Sequence, residues 1–246
     1  MEPMTALAVG SLVGFVSGFF GVGGGFLMVP VLVSLGVPVH EALGTTLLAI
    51  GLGSLPGAFK HFKEGNVHGR VAASLGLSAV LGAQIGGFLA CDAPGYLLKT
   101  ILGVACAGMA VRMFYGDEGE KDRKGSSLVP AAAGLGVGTL SGMTGSGGGV
   151  LFVPVMSTFM GMRTAVAVGT SSVVVPVSSL TGASEYWIHG FVNLWSVPEL
   201  VTGMLVTSYL GAKVSQGVDD GTLRRVFALI LGGVGAKMIL SGMAGA

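Results

Sequence analysis

Charge is what this chain has least of. Of its 246 residues, 13 are lysine or arginine and 12 are aspartate or glutamate, 10% in all, against about 25% in an ordinary soluble domain. The formal net charge of +1 leaves no basic field for a nucleic acid, so none is expected as a partner. Cys91 and Cys106 are the only cysteines, too few for a disulfide framework or a paired-cysteine metal site. Both read as small packing residues. The histidines His40, His61, His68 and His189 fall in predicted loops or interfaces. None has the spacing to a second ligand that a metal needs, so no metal and no cofactor is expected. The first residues lack the basic region and cleavage site of a secretory signal, and the amino-terminal segment is expected to be retained.

Apolar residues take the place of charge. They make up 51% of the chain, and the mean hydropathy is +0.81. No charge interrupts Pro3 to Val39, Ala42 to Phe59, Val71 to Cys91, Leu128 to Met162 or Thr164 to Ser184. Runs of about 18 or more apolar residues read as membrane-crossing helices. The 45 glycines point the same way. In a water-soluble helix each costs about 1 kcal/mol relative to alanine, whereas in lipid small residues let helices approach closely. The sequence therefore predicts an all-α polytopic membrane protein whose surroundings are a lipid bilayer. Six full spans are expected, at 41–59, 70–90, 96–115, 165–187, 196–214 and 222–242.

A glycine-rich phrase occurs twice, 124 residues apart. Ser17-Gly18-Phe19-Phe20-Gly21-Val22-Gly23-Gly24-Gly25-Phe26-Leu27-Met28-Val29-Pro30 is answered by Ser141-Gly142-Met143-Thr144-Gly145-Ser146-Gly147-Gly148-Gly149-Val150-Leu151-Phe152-Val153-Pro154. Ala42-Leu43-Gly44-Thr45-Thr46 is echoed by Ala167-Val168-Gly169-Thr170-Ser171, and Gly57-Ala58 by Gly182-Ala183. The chain divides into a first repeat, 1–115, a charged linker, 116–127, and a second repeat, 128–246. Duplications of this kind build membrane transporters.

Each phrase interrupts an apolar segment. The arm that follows, Phe26 to Leu35 or Val150 to Met160, has ten or eleven residues. At about 1.5 Å per residue it covers about half of a hydrocarbon core of about 30 Å. A re-entrant hairpin is predicted: into the bilayer, a glycine turn, and back to the same side. Each repeat is then one glycine-broken hairpin plus three transmembrane helices, and the two repeats have inverted topology. With the Lys60–Arg70 loop cytoplasmic, this arrangement puts eleven lysines and arginines inside and two, Lys99 and Lys237, outside. Single crossings of the broken segments give eight against five. The positive-inside rule selects the hairpins, with both termini outside a cell membrane and the linker within the cytoplasm. Tyr186, Trp187, Phe191 and Trp195 then read as an outer aromatic belt.

Two hairpin tips entering from opposite faces would meet near the midplane. Gly23, Gly24 and Gly25 open one short helix, and Gly147, Gly148 and Gly149 open the other. The first amides of a helix lack internal partners, and its dipole end carries about half a positive charge. Glycines bare those amides as an anion nest. A small anionic substrate is the expected partner, held without a buried lysine or arginine. Ser146 in the second tip, and Thr45, Thr46, Thr170 and Ser171 in the following spans, are candidate donors to its oxygens. The competing reading is that the glycines pack helices and the hydroxyls bond backbone carbonyls.

The paired GxxGxGGGxLxVP phrases, each followed by A-x-G-T-T/S, resemble the TauE/SafE family, the sulfite exporters, over essentially the whole chain. The resemblance implies transport of sulfur-containing anions such as sulfite, sulfoacetate or other organosulfonates, usually out of the cytoplasm. It puts Gly23, Gly24, Gly25, Gly147, Gly148, Gly149, Thr45, Thr46, Thr170 and Ser171 at family motif positions.

Other readings compete. A passive anion channel or an importer of other small carboxylates or oxyanions would use the same polar lining. Open pores usually display cationic rings, though, and none is evident. Gly145-Ser146-Gly147 is similar in form to the serine motif of intramembrane proteases, with His189 as base. Val22 at the equivalent place in the first phrase argues against an enzyme. Ser196-Val197-Pro198-Glu199 has the form of a capping box, and Glu41 is read as interfacial. Lys213 is expected to snorkel to the cytoplasmic surface. Glycine-rich helices are also compatible with a homodimer.

Overall fold

The computed structural model describes residues 2–115 and 128–243, and the predicted linker lies outside the described residues. Every regular element described is a helix. The first half contains α1 (Pro3–Phe20), α2 (Gly25–Ser34), α3 (Val39–Gly53), α4 (Leu55–Lys63), α5 (Gly69–Cys91) and α6 (Gly95–Tyr115). The second contains α7 (Leu128–Thr144), α8 (Gly149–Phe159), α9 (Thr164–Ile188), α10 (Val197–Ser215) and α11 (Asp220–Met243). Five helical stretches are long and apolar enough by themselves to cross a membrane: Pro3–Phe20, Val39–Lys63, Gly69–Cys91, Thr164–Ile188 and Arg225–Met243.

Local chemistry sets the boundaries. α1 stops where Gly21 turns left-handed, at φ 63°. α2 and α8 are short, 10 and 11 residues, as the apolar arms predict. The predicted span 41–59 is two helices with a joint at Ser54. Pro56 follows in the first turn of α4, where its missing N–H and its ring disturb the preceding turn. The Ser54 hydroxyl also donates to the Ile50 carbonyl at 2.6 Å, a local bond of the kind that bends helices. The capping box is not formed. Ser196 makes no side-chain cap, its hydroxyl lying instead 3.3 Å from Asn193 Oδ1.

The helices are small on their packed faces and large on their outer ones. On α5, Ala79, Ala83, Gly86 and Gly87 are buried, while Leu77, Leu81, Ile85 and Phe88 face outward. That is the reverse of a water-soluble helix, whose outer face is polar. An outer face of this kind requires lipid.

Close contacts give the helix directions. Gly82 packs on Leu135 and Thr139, and Gly86 on Thr139 and Met143, so α5 and α7 run parallel. Gly10 meets Leu200, Gly14 meets Met204 and Gly18 meets Ser208, so α1 and α10 are parallel too. α3 and α9 run antiparallel, Gly44 against Tyr186 and Gly51 against Leu180. α6 and α11 do likewise, Gly103 against Ile239 and Gly242 against Thr100. The long helices α1, α3, α5 and α6 of the first half each thus pair with one helix of the second. The central core, Phe26, Met28, Ile50, Val150, Phe152 and Val175, is fully buried.

Candidate functional site

The two glycine turns are in backbone contact. Gly25, the first residue of α2, packs so closely that a Cβ there would lie 2.5 Å from the Gly145 carbonyl oxygen. A Cβ on Gly149, the first residue of α8, would lie 2.3 Å from Val22 Cα. The residues capping these helices, Gly24 and Gly148, both have φ 78°, a left-handed conformation that side chains resist. The first intrahelical bonds run from Leu27 and Met28 to the Gly24 carbonyl, and from Leu151 and Phe152 to the Gly148 carbonyl. Earlier amides in each helix have no intrahelical acceptor. Two positive dipole ends therefore meet at the centre of the bundle, an arrangement that favours negative charge between them.

The predicted hydroxyls separate into two kinds. Thr45 and Thr170 tie down loops from the opposite half: Thr45 Oγ1 accepts from the Asn193 amide at 2.9 Å, and Thr170 Oγ1 from the His68 amide at 3.0 Å. Thr46 and Ser171, one residue further along, are buried with side-chain oxygens that have no hydrogen-bond partner. Ser141 and Ser179 are in the same condition. An unpaired buried hydroxyl costs about 1–3 kcal/mol, so these groups are poised to donate to an incoming acceptor. Ser146 in the second tip is buried, with Thr144 Oγ1 3.1 Å from its oxygen. His189 lies at the exposed end of α9 beside the Glu185 carbonyl, 2.8 Å away. Ser146 and His189 thus have separate partners, and the structure does not assemble them as nucleophile and base.

Behind the first tip a crevice is lined by Ser17, Gly21, Gly23, Ser54, Ser172 and Val175. It is too narrow for a water molecule in this conformation. Three side chains that the sequence reading misplaced or passed over are part of this region. Ser179 stands next to Gly147, and its recurrence with Ser54 at the repeat offset is the signal that marks it. His61, expected in a loop or interface, is instead buried in α4, its Nε2 2.9 Å from the Gly18 carbonyl oxygen. Tyr186, expected in the aromatic belt, is buried and donates to the Gly142 carbonyl at 2.8 Å. The last two are repeat mates: Gly57-Ala58 precedes His61 as Gly182-Ala183 precedes Tyr186. Trp187 and Trp195, expected in the same belt, are both exposed. Among the described residues no group of three histidine, cysteine, aspartate or glutamate side chains could hold a metal.

The family model described as sulfite exporter TauE/SafE matches residues 6–238. The chain is 28% identical to a probable membrane transporter protein of Methanocaldococcus jannaschii, over 95% of this chain and 94% of the relative. It is 28% identical to the probable membrane transporter protein YdhB of Bacillus subtilis, over 92% and 96% of the two chains. A probable membrane transporter protein of Haemophilus influenzae is also 28% identical, over 96% and 98%. No solved structure matches the chain. With matching over nearly its whole length, the chain belongs to the sulfite exporter TauE/SafE family and is a multi-pass membrane transporter.

Proposed function

We propose that the protein is a secondary carrier of small sulfur-containing anions, sulfite or organosulfonates, working by alternating access. The observation that carries this reading is the meeting of two glycine-capped helix ends at the centre of the bundle. Amides of Gly23, Gly24, Gly25, Gly147, Gly148 and Gly149 hold the anion oxygens. The unpartnered hydroxyls of Thr46, Ser141, Ser171 and Ser179 complete the shell. Sulfur oxyanions fit such a nest because they present several acceptor oxygens and carry charge at neutral pH. The outward direction of transport rests on the family's description as exporters.

The helix directions support inverted repeats with re-entrant hairpins. α3 opposes α9, α5 runs with α7, and α10 runs with α1. Because the successive spans α9 and α10 alternate, α1 and α3 share one direction, and the chain returns through α2 to the side it entered. The same directions gather Lys60, Lys63, Arg70, Arg163, Lys213 and Arg225 at one end, which we assign to the cytoplasm. Alternating access follows if the tips pass between forms open to one side and forms open to the other.

The test is uptake into proteoliposomes of radiolabelled sulfite, sulfoacetate, taurine and sulfate. Orientation is scored by impermeant labelling of a thiol placed at Glu2, which this reading puts outside. Saturable uptake of one sulfur anion, competed by its relatives, is the expected result. Uptake that rises linearly with concentration is the signature of a channel and contradicts the carrier. Absence of uptake by folded protein withdraws the sulfur-anion assignment.

A further inference from the structure

The two halves differ in the buried polar contact that precedes each glycine turn. In the second half the Tyr186 hydroxyl donates to the Gly142 carbonyl. In the first, His61 Nε2 approaches the Gly18 carbonyl, one turn before the chain opens at Gly21. A carbonyl can only accept, so the imidazole proton sits on Nε2. Nδ1 is then a buried lone pair, and it has no partner. His61 is 2% exposed. Gly57 and Ala58, one turn back on the same face of α4, line the crevice with Ser17, Gly21, Gly23 and Ser172. A tyrosine stays neutral at physiological pH, whereas a histidine imidazole can take a second proton and become a cation.

We propose that His61 is the proton-binding residue of this carrier: a proton taken at Nδ1 makes it a buried cation beside the first tip, and the transported anion is its counter-charge. The proposal rests on the anion-carrier reading above.

The surroundings leave that role to the anion. On its own helix, Lys60 and Lys63 share the last turn with His61, and Lys60 pairs with Glu64, which is exposed. α10 contributes Tyr209, whose ring lies 5.9 Å from the Lys60 ammonium, and the exposed Lys213; its Glu199 is in the first turn, at the far end. α1 carries no ionisable side chain. α3 has only His40 and Glu41, in its opposite first turn. α9 has Glu185 and Tyr186 in its distant last turn and Arg163 as its N-cap. Among the described residues no carboxylate makes a hydrogen bond or ion pair with His61, so a charged imidazole is stabilised when an anion occupies the tips. By linkage, the proton then strengthens anion binding by the same factor that the anion strengthens proton binding. That contribution is full below the midpoint of the anion-free protein and is lost as pH rises through the higher midpoint of the anion-bound protein, by at most about tenfold per pH unit for one proton.

The experiment uses full-length protein in lipid nanodiscs, with isotope-labelled histidine followed by NMR from pH 8 to pH 5. The His61 resonances are identified by their loss in His61→Tyr. They are expected to change from the neutral to the doubly protonated form, with a midpoint that sulfoacetate raises. Sulfoacetate affinity should fall about tenfold from pH 6 to pH 8 in the wild type. In His61→Tyr, which keeps a donor for Gly18, affinity should not vary with pH; His61→Gln serves if that variant fails to fold. An imidazole that remains neutral down to pH 5 overturns the proposal, as does an unchanged pH slope in the variant. If sulfoacetate and sulfite do not bind the wild type, the sulfur-anion reading falls. The titration of His61 still decides the proton site: charging within this range supports it, and neutrality throughout overturns it.

Discussion

Thr45 and Thr170 show how far single residues can be read from the sequence. Their recurrence in both repeats marks them as special, and the structure gives each the same task. Each hydroxyl accepts the amide of a loop residue in the opposite half, Asn193 or His68. Those partners are 148 and 102 positions away, and no local pattern names them. Replacing Thr170 with valine keeps the shape and removes the acceptor, leaving the His68 amide unpaired at a cost of about 1 kcal/mol. Hydrogen exchange at His68 should quicken about fivefold in Thr170→Val, with the Asn193 amide unaffected; Thr45→Val should do the reverse. Equal protection in both variants would show that these bonds carry no load. His61 was hidden for a different reason. Lys60, Lys63 and Glu64 surround it and suggest an interface, whereas Gly57, Ala58 and His61 together form the buried face of α4.

Among the elements, length and glycine content made the short arms α2 and α8 legible, because about 15 Å of helix cannot cross about 30 Å of hydrocarbon. The predicted spans also fall on α3–α4, α5, α6, α9, α10 and α11 to within a few residues. The joint at Ser54 was not foreseen, since hydropathy is blind to a bend. The capping motif at Ser196 misled because the N-cap residue adopts a helical conformation, φ −94° and ψ −17°, and turns its hydroxyl to Asn193. Helix pairing was also invisible, although its chemistry can now be tested. Gly138 in α7 leaves no room for a side chain: a Cβ there would lie 2.5 Å from the Ala79 carbonyl oxygen. Gly136, two residues away, has nothing within 4 Å. Gly138→Leu should therefore force α5 and α7 apart and destabilise the protein by about 1–3 kcal/mol. Gly136→Leu should leave the thermal unfolding temperature in detergent within a degree or two of the wild type, since surface substitutions usually stay within about 0.5 kcal/mol. Equal losses in the two variants would contradict the assigned seam.

For the whole molecule, composition alone points to the membrane, and family membership agrees. The glycine-rich phrase that occurs twice in the sequence points to a plan of two related halves. What composition cannot supply is which atoms the duplication brings together, because the two glycine turns are separated by more than a hundred residues of chain. In the folded protein they touch, and the central claim is that this contact holds the anion. The most direct measurement is binding of sulfite and sulfoacetate, by isothermal titration, to wild type and to the Gly24→Val, Gly148→Val double variant. Both positions have φ 78°, and β-branched side chains resist that conformation, at a strain of about 1–3 kcal/mol each. A variant that inserts and stays folded but has lost at least about a hundredfold in affinity is the predicted result. A folded double variant that binds either anion as the wild type does would contradict the account.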